Sequence, residues 1–223
     1  MSCQRRSYAV LSQSNVCEGP LAPLWLVAAL IPMVVSQILR LQQSDAATWI
    51  CWDYAGRFGG LAVLGAIPSA RTVAFRWERL RISLWEVAAW IIVIVLTDHY
   101  FCGWIRRLIN TALPATVLGH YPEPHGLLYF IDAVFGLVLV AYSEEIVFRR
   151  CARNAFQTYL SDGSALIVVT SILFAAYHWW TGIGNIVEAA LIGILLMLFY
   201  SRSCALWPVV LGHYMTDVVD FAL

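Results

Sequence analysis

A chain in which apolar runs of about 20 residues recur from end to end has few folds open to it, because each such run can cross the hydrocarbon of a bilayer as a helix. Seven runs meet that measure, over residues 21–39, 47–68, 84–104, 126–157, 164–180, 183–200 and 204–222. Inside lipid a span must satisfy its own backbone N–H and C=O groups, so these runs predict helices rather than open strands. Composition agrees: 61% of residues are hydrophobic and 13% are charged, against roughly a quarter charged in a soluble domain. Mean hydropathy is +0.72. The expected fold is therefore all-α, a polytopic membrane bundle of about seven transmembrane helices around an intramembrane polar cavity. Residues 1–223 are expected to form a single integral membrane domain that starts with a polar tail, residues 1–20.

The first run, Leu21 to Leu39, is long for a signal-peptide core and shows no convincing A-x-A site, so it is expected to remain as the first membrane helix. Every basic side chain is an arginine. With the N-terminus inside, ten arginines fall on the inner side: Arg5, Arg6, Arg71, Arg76, Arg79, Arg81, Arg149, Arg150, Arg153 and Arg202. Three, Arg40, Arg106 and Arg107, fall outside, and Arg57 lies within a span. That bias predicts a cytoplasmic N-terminus. The stretch Ile105–His125, with three prolines, is expected as an outer loop, either a lid or a connector. Net charge is zero, with 14 acids against 14 bases, which gives nucleic acid nothing to bind. The six cysteines contain no C-x-x-C pair and are expected to form neither a zinc pattern nor a disulfide framework. Cys151 reads as a small core residue, since a catalytic thiol needs a His partner and no base sits beside it.

Ionisable residues inside a membrane are functional hypotheses by default. In the second half these are Asp132, Glu144, Glu145, His178, Glu188, His213 and Asp217. Glu144 and Glu145 point about 100° apart on a helix, so they cannot do the same job. Arg149, four residues after Glu145, stands in the favourable order for an ion pair. Glu144 is left without a local partner, and an unpaired carboxylate in low dielectric suits general-base work near neutrality. Phe174 with His178, and His213 with Asp217, each stack on one helix face at four-residue spacing. The turn signal Y-L-S-D-G-S is centred on residue 161, 17 residues from both Glu144 and His178, so an antiparallel hairpin would bring them to equal depth. His213 lies nine residues beyond the S-R-S-C turn, roughly 14 Å in. The three patterns can converge in the cytoplasmic half of the bilayer. Asp132 and Glu188 lack a partner at helical spacing and read as packing or water-cavity residues. Asp53 and Arg57 can pair on one face. Gly56 and Gly60 stand at a spacing that permits close helix packing. Trp179, Trp180 and Trp207 fit interface anchoring.

E-E-I-V-F-R, F-A-A-Y-H and H-Y-M-T-D, in this order, resemble the CPBP family (ABI) of CAAX proteases and bacteriocin-processing proteins. These are glutamate-dependent intramembrane endopeptidases, similar to the type II CAAX prenyl endopeptidase. The resemblance covers residues 126–222 and finds nothing family-specific in the first 125 residues. It implies that Glu144 activates a water for attack on a scissile peptide carbonyl and that His178 holds or shares that water. It implies that His213 and Asp217 stabilise the oxyanion, and that Glu145 and Arg149 orient the helix, with Phe174 in support. An ionised Asp217 cannot donate to an oxyanion, so either it is protonated or, as the favoured expectation, it orients His213 instead. The implied partners are the lipid bilayer and a membrane-associated protein or peptide, admitted laterally or from the cytoplasmic side, with a bacterial inner membrane as the setting. No cofactor is expected. Two His and two carboxylates could ligate zinc, but H-E-x-x-H is absent. Two other readings of the same residues stay open: a proton-coupled membrane transporter, and a non-catalytic scaffold or immunity-like protein. Against the first, the chain has no inverted repeat and no matched pair of broken helices.

Overall fold

The computed structural model describes residues 21–122, 124–160 and 162–222. The polar tail, with Arg5, Arg6, Cys3 and Cys17, lies outside the described residues. Among the described residues there are eight helices of seven residues or more and no strand: α1 (Ala22–Arg40), α2 (Ala46–Ala66), α3 (Pro68–Ala74), α4 (Leu84–Ala112), α5 (Leu127–Gln157), α6 (Ser164–Tyr177), α7 (Ile183–Ser203) and α8 (Leu206–Ala222). Each of the seven apolar runs lies on a helix. The eighth, α3, follows a break at Ile67, where Pro68 takes the first helical position and the preceding residue is extended.

Four of these helices, α1, α4, α5 and α7, are long and apolar enough to cross a membrane. The chain is an integral membrane protein. At 14 residues α6 falls short of a full span by itself, α8 has 17, and α2 carries Asp53 and Arg57 within its 21 residues. The arrangement of side chains on α1 shows how lipid acts as solvent. Leu24, Val27, Ile31, Val35 and Ile38 form an exposed stripe, while Ser36, Gln37 and Arg40 are buried. Polar groups face the bundle interior because lipid tails offer them no hydrogen bonds.

Small residues set the closest helix approach. A Cβ at Gly56 would overlap Ser36, and one at Gly60 would meet the Ala29 carbonyl at 2.9 Å, so α1 and α2 pack backbone to backbone. Helices α6 and α7 form a second hairpin, closed by a turn in which Gly182 takes φ +100°, a conformation only glycine adopts without strain.

Two expectations change here. Helix α4 runs through a π-helical segment, Thr97–Cys102, and continues to Ala112, so the loop expected from Ile105 begins at Leu113. Three arginines assigned to the membrane surfaces are buried: Arg40 (2% exposed), Arg149 (0%) and Arg150 (8%). Arg150 donates to the Ala74 carbonyl and to Glu78, which closes one end of the bundle together with Tyr200. The loop after α4 closes the other end, where the Leu118 and Gly119 N–H groups donate to the Trp180 carbonyl. In the same loop, the Tyr121 hydroxyl donates to Asp132 at 2.6 Å, and burial pushes the Tyr121 phenol well above its ordinary pKa.

Candidate active site

Glu144 sits where the α-helical part of α5 gives way to a π-helical turn, Glu145–Cys151. Such turns widen the helix by one residue and recur at functional sites. The Glu144 side chain is 2% exposed. Its Oε1 accepts from Arg57 Nη1 at 2.8 Å, so the carboxylate expected to lack a partner has one, supplied by α2 rather than by its own helix. Arg57 Nε donates to Asp53 Oδ2 at 2.8 Å, as the four-residue spacing predicts, and Arg40 Nη1 donates to the other oxygen of Asp53. A chain of alternating charge, Arg40–Asp53–Arg57–Glu144, thus ends in the carboxylate.

The second oxygen of Glu144, Oε2, is buried and accepts no hydrogen bond from the protein. It faces Nε2 of His178 at 4.0 Å and Nε2 of His213 at 3.9 Å. These gaps are too long for direct hydrogen bonds. They match two groups bonded to one shared oxygen, since partners about 2.8 Å from a common atom and 4 Å apart subtend roughly 90° at it.

The remaining ring nitrogens are committed. His178 Nδ1 lies 2.9 Å from the Phe174 carbonyl, which can only accept, so Nδ1 carries the proton and Nε2 of the neutral ring is an acceptor. His213 Nδ1 lies 2.8 Å from Glu145 Oε1. Glu145 is thus the carboxylate bonded to this ring nitrogen. Asp217 Oδ1 stands 3.6 Å from His213 Nε2, beyond hydrogen-bond distance and on the wrong nitrogen to fix the ring, so the expectation for Asp217 is corrected. Asp217 instead lines the same space as Glu144 Oε2.

Glu145 also meets Arg149, with Nε 2.9 Å from Oε2 and both side chains fully buried. The contact is a close charge pair without an aligned hydrogen bond, and the guanidinium stacks over the Phe174 ring at 4.4 Å. That ring lies edge-on to His178 and His213, at centroid distances of 4.8 and 5.9 Å. Phe174 is thus the common wall of the site as well as the source of the carbonyl that sets the His178 tautomer.

A cavity of about 1240 Å³ runs from Glu144, His178, His213 and Asp217 past Arg106 and Asn110 to the loop residues Val117, Tyr121 and His125. No three His, Cys, Asp or Glu side chains among the described residues converge as a metal-binding group. Cys151 is a buried free thiol, while Cys204 is disulfide-bonded, which the cysteine spacing does not announce.

Two residues at the site went unread in the sequence. Arg57 is read there only as a local partner of Asp53, and nothing in the pattern links it to Glu144. Gln37 donates from Nε2 to the Tyr177 carbonyl at 3.0 Å and accepts from Trp179 Nε1 at 2.8 Å, so α1 clamps both neighbours of His178. Trp179 thus bonds to Gln37, and the Trp180 ring lies 4.6 Å from the Arg40 guanidinium. The other embedded acids are paired from afar. Asp132 accepts from Tyr54 and Tyr121, and Glu188 pairs with Arg106, which also reaches Asp220.

No curated protein and no solved structure matches the chain. Residues 126–219, which carry Glu144, His178, His213 and Asp217, match the family described as Rce1-like, Type II CAAX prenyl endopeptidase Rce1-like, so this part of the chain is similar to that family of CAAX proteases.

Proposed function

We propose that the protein is an intramembrane endopeptidase that hydrolyses a peptide bond of a membrane-associated protein or peptide, with Glu144 as general base. The observation that carries this reading is the unpartnered Oε2 of Glu144, facing two histidine Nε2 atoms at 3.9 and 4.0 Å. A water bound among these three atoms donates one proton to Oε2 and hydrogen-bonds His178 Nε2. As its oxygen attacks the scissile carbonyl carbon, the proton passes to Glu144. In its imidazolium form, His213 donates from Nε2 to the oxyanion while Glu145 holds Nδ1. Glu144 then returns the proton to the leaving nitrogen as the C–N bond breaks, and the products are a carboxylic acid and an amine. Asp217 lines the substrate side. No resident cofactor is part of this scheme.

We place the seven apolar helices across the bilayer with the N-terminus inside. The cavity then extends toward the end that carries Arg106 and Asn110, the outer end in that orientation, while the sequence reading admits substrate laterally or from the cytoplasmic side. A bacterial inner membrane fits this arrangement.

The test uses purified full-length protein in detergent, as wild type and Glu144→Gln, with a panel of peptides read by mass spectrometry, each with and without a chelator. The panel includes a C-terminally prenylated peptide and unprenylated amphipathic helices. Loss of the general base is expected to lower the cleavage rate about 10²–10⁴-fold, with no chelator effect. Loss of cleavage on chelation would move Glu144 and both histidines into a metal site. Flux across liposomes without cleavage would favour the transporter. Full cellular function of Glu144→Gln would favour a scaffold.

A further inference from the structure

One side chain bonded to Glu144 lies outside the family-matched segment. Arg57 stands 87 positions earlier, on a helix that the comparison with known families does not reach. It is 4% exposed and bonded through two nitrogens: Nε donates to Asp53, and Nη1 donates to Glu144 Oε1 at 2.8 Å and to Ser143 Oγ at 3.1 Å. Asp53 is fixed in turn by Arg40, whose guanidinium stacks over Trp49 at 4.3 Å and Trp180 at 4.6 Å. The guanidinium that reaches Glu144 is therefore immobilised from behind by two further buried residues.

The consequence for Glu144 is geometric. A free carboxylate rotates about its terminal torsion and presents either oxygen. Here Oε1 is occupied, so rotation would break a charge-assisted hydrogen bond, and Oε2 alone is left facing the histidines. We propose that Arg57, held by Asp53 and Arg40, is the positioning residue that pins Oε1 and makes Oε2 the base. The α1–α2 hairpin then completes the active centre, and residues 126–219 by themselves are not a sufficient enzyme. This inference rests on the reading of Glu144 as general base.

The test compares wild type, Arg57→Gln, Arg57→Lys and Glu144→Gln as purified full-length proteins, each checked for monodispersity and Tm, on a panel peptide that wild type cleaves. Because a misplacement of about 1 Å can cost about 100-fold, Arg57→Gln is expected to lower kcat by about that factor with little change in KM. Arg57→Lys, which keeps the charge, should recover at least about tenfold of the loss. A second measurement needs no turnover. With ¹³C-glutamate labelling, the infrared difference between wild type and Glu144→Gln isolates the Glu144 carboxylate stretches, and their splitting should change in Arg57→Gln. A monodisperse Arg57→Gln with wild-type kcat, or an unchanged splitting, overturns the proposal while leaving Glu144 as base. Equal loss in Gln and Lys variants that follows a fall in Tm reduces Arg57 to a structural residue and also overturns it. Wild-type cleavage by Glu144→Gln removes the general-base reading itself, and this inference with it.

Discussion

Replacing Arg149 by methionine removes a cation from a fully buried position and leaves Glu145 beside it. Both side chains are 0% exposed, Nε lies 2.9 Å from Glu145 Oε2, and the guanidinium stacks over Phe174 at 4.4 Å. Deleting one member of a buried pair typically costs about 3–5 kcal/mol, because the other charge stays buried and uncompensated. Two features of this site bring the expectation to the lower end. Glu145 keeps its hydrogen bond with His213 Nδ1 at 2.8 Å. Methionine also refills much of the volume against Phe174, offsetting a cation–π contact worth up to about 2 kcal/mol. A loss of about 3 kcal/mol in a chain of this length corresponds to roughly 6–12 °C in Tm. Thermal unfolding of the detergent-purified variant, followed by tryptophan fluorescence, reads that shift. The double variant Glu145→Gln/Arg149→Met supplies the control: with both charges gone and the Gln carbonyl still able to accept from His213, it should be more stable than Arg149→Met alone. A single variant within about 2 °C of wild type, which is less than 1 kcal/mol, would refute the argument. So would a double variant that melts lower than the single one.

Asp217→Asn should keep the cleavage rate within about tenfold of wild type, because Glu145 holds the His213 ring and an Asn amide can still donate toward an oxyanion. A loss as deep as that of Glu144→Gln in the peptide assay would show that the carboxylate itself takes part. Gln37→Leu should lower kcat about tenfold, since it strips the hydrogen bonds from Tyr177 and Trp179 on either side of His178, each worth about 1 kcal/mol. Unchanged kinetics would mean that His178 needs no such clamp.

The helices were legible because lipid imposes one simple condition on sequence, a run of about 20 apolar residues. The hairpin spacing of Glu144 and His178 is informative for a related reason: rise per residue is fixed, so position along a helix converts to distance. The structure brings their side chains within 4.0 Å. What the sequence conceals is lateral neighbourhood. Arg57 could be paired with Asp53 by spacing, but its contact with Glu144 depends on which face of α2 turns toward α5. That is set by Gly56 and Gly60 packing against α1, a three-body fact that no local pattern carries. Tautomer assignment was hidden in the same way. The partner of His213 Nδ1 is not the residue one turn away on α8 but a carboxylate 68 positions earlier. Helical spacing finds residues that share a face. It does not find those that share a cavity.

The two adjacent glutamates make sense as the two sides of one imidazole. Diverging by about 100°, Glu145 reaches Nδ1 of His213 at 2.8 Å while Glu144 faces Nε2 of the same ring at 3.9 Å. In the proposed mechanism one fixes the ring and the other shares its reactive nitrogen. Both carboxylates are buried, where an isolated charge costs several kcal/mol, and each is matched by an arginine of its own. Glu145 has Arg149 one turn away, and Glu144 has Arg57 from another helix. Losing Glu145 alone leaves the buried Arg149 guanidinium without a carboxylate, whereas losing Glu144 leaves Arg57 paired with Asp53, which Arg40 already shares. The oxygens divide accordingly. Three of the four carboxylate oxygens are held, by Arg57, His213 and Arg149. The fourth, Glu144 Oε2, has no such partner, and in this reading it is the oxygen that accepts the proton from water.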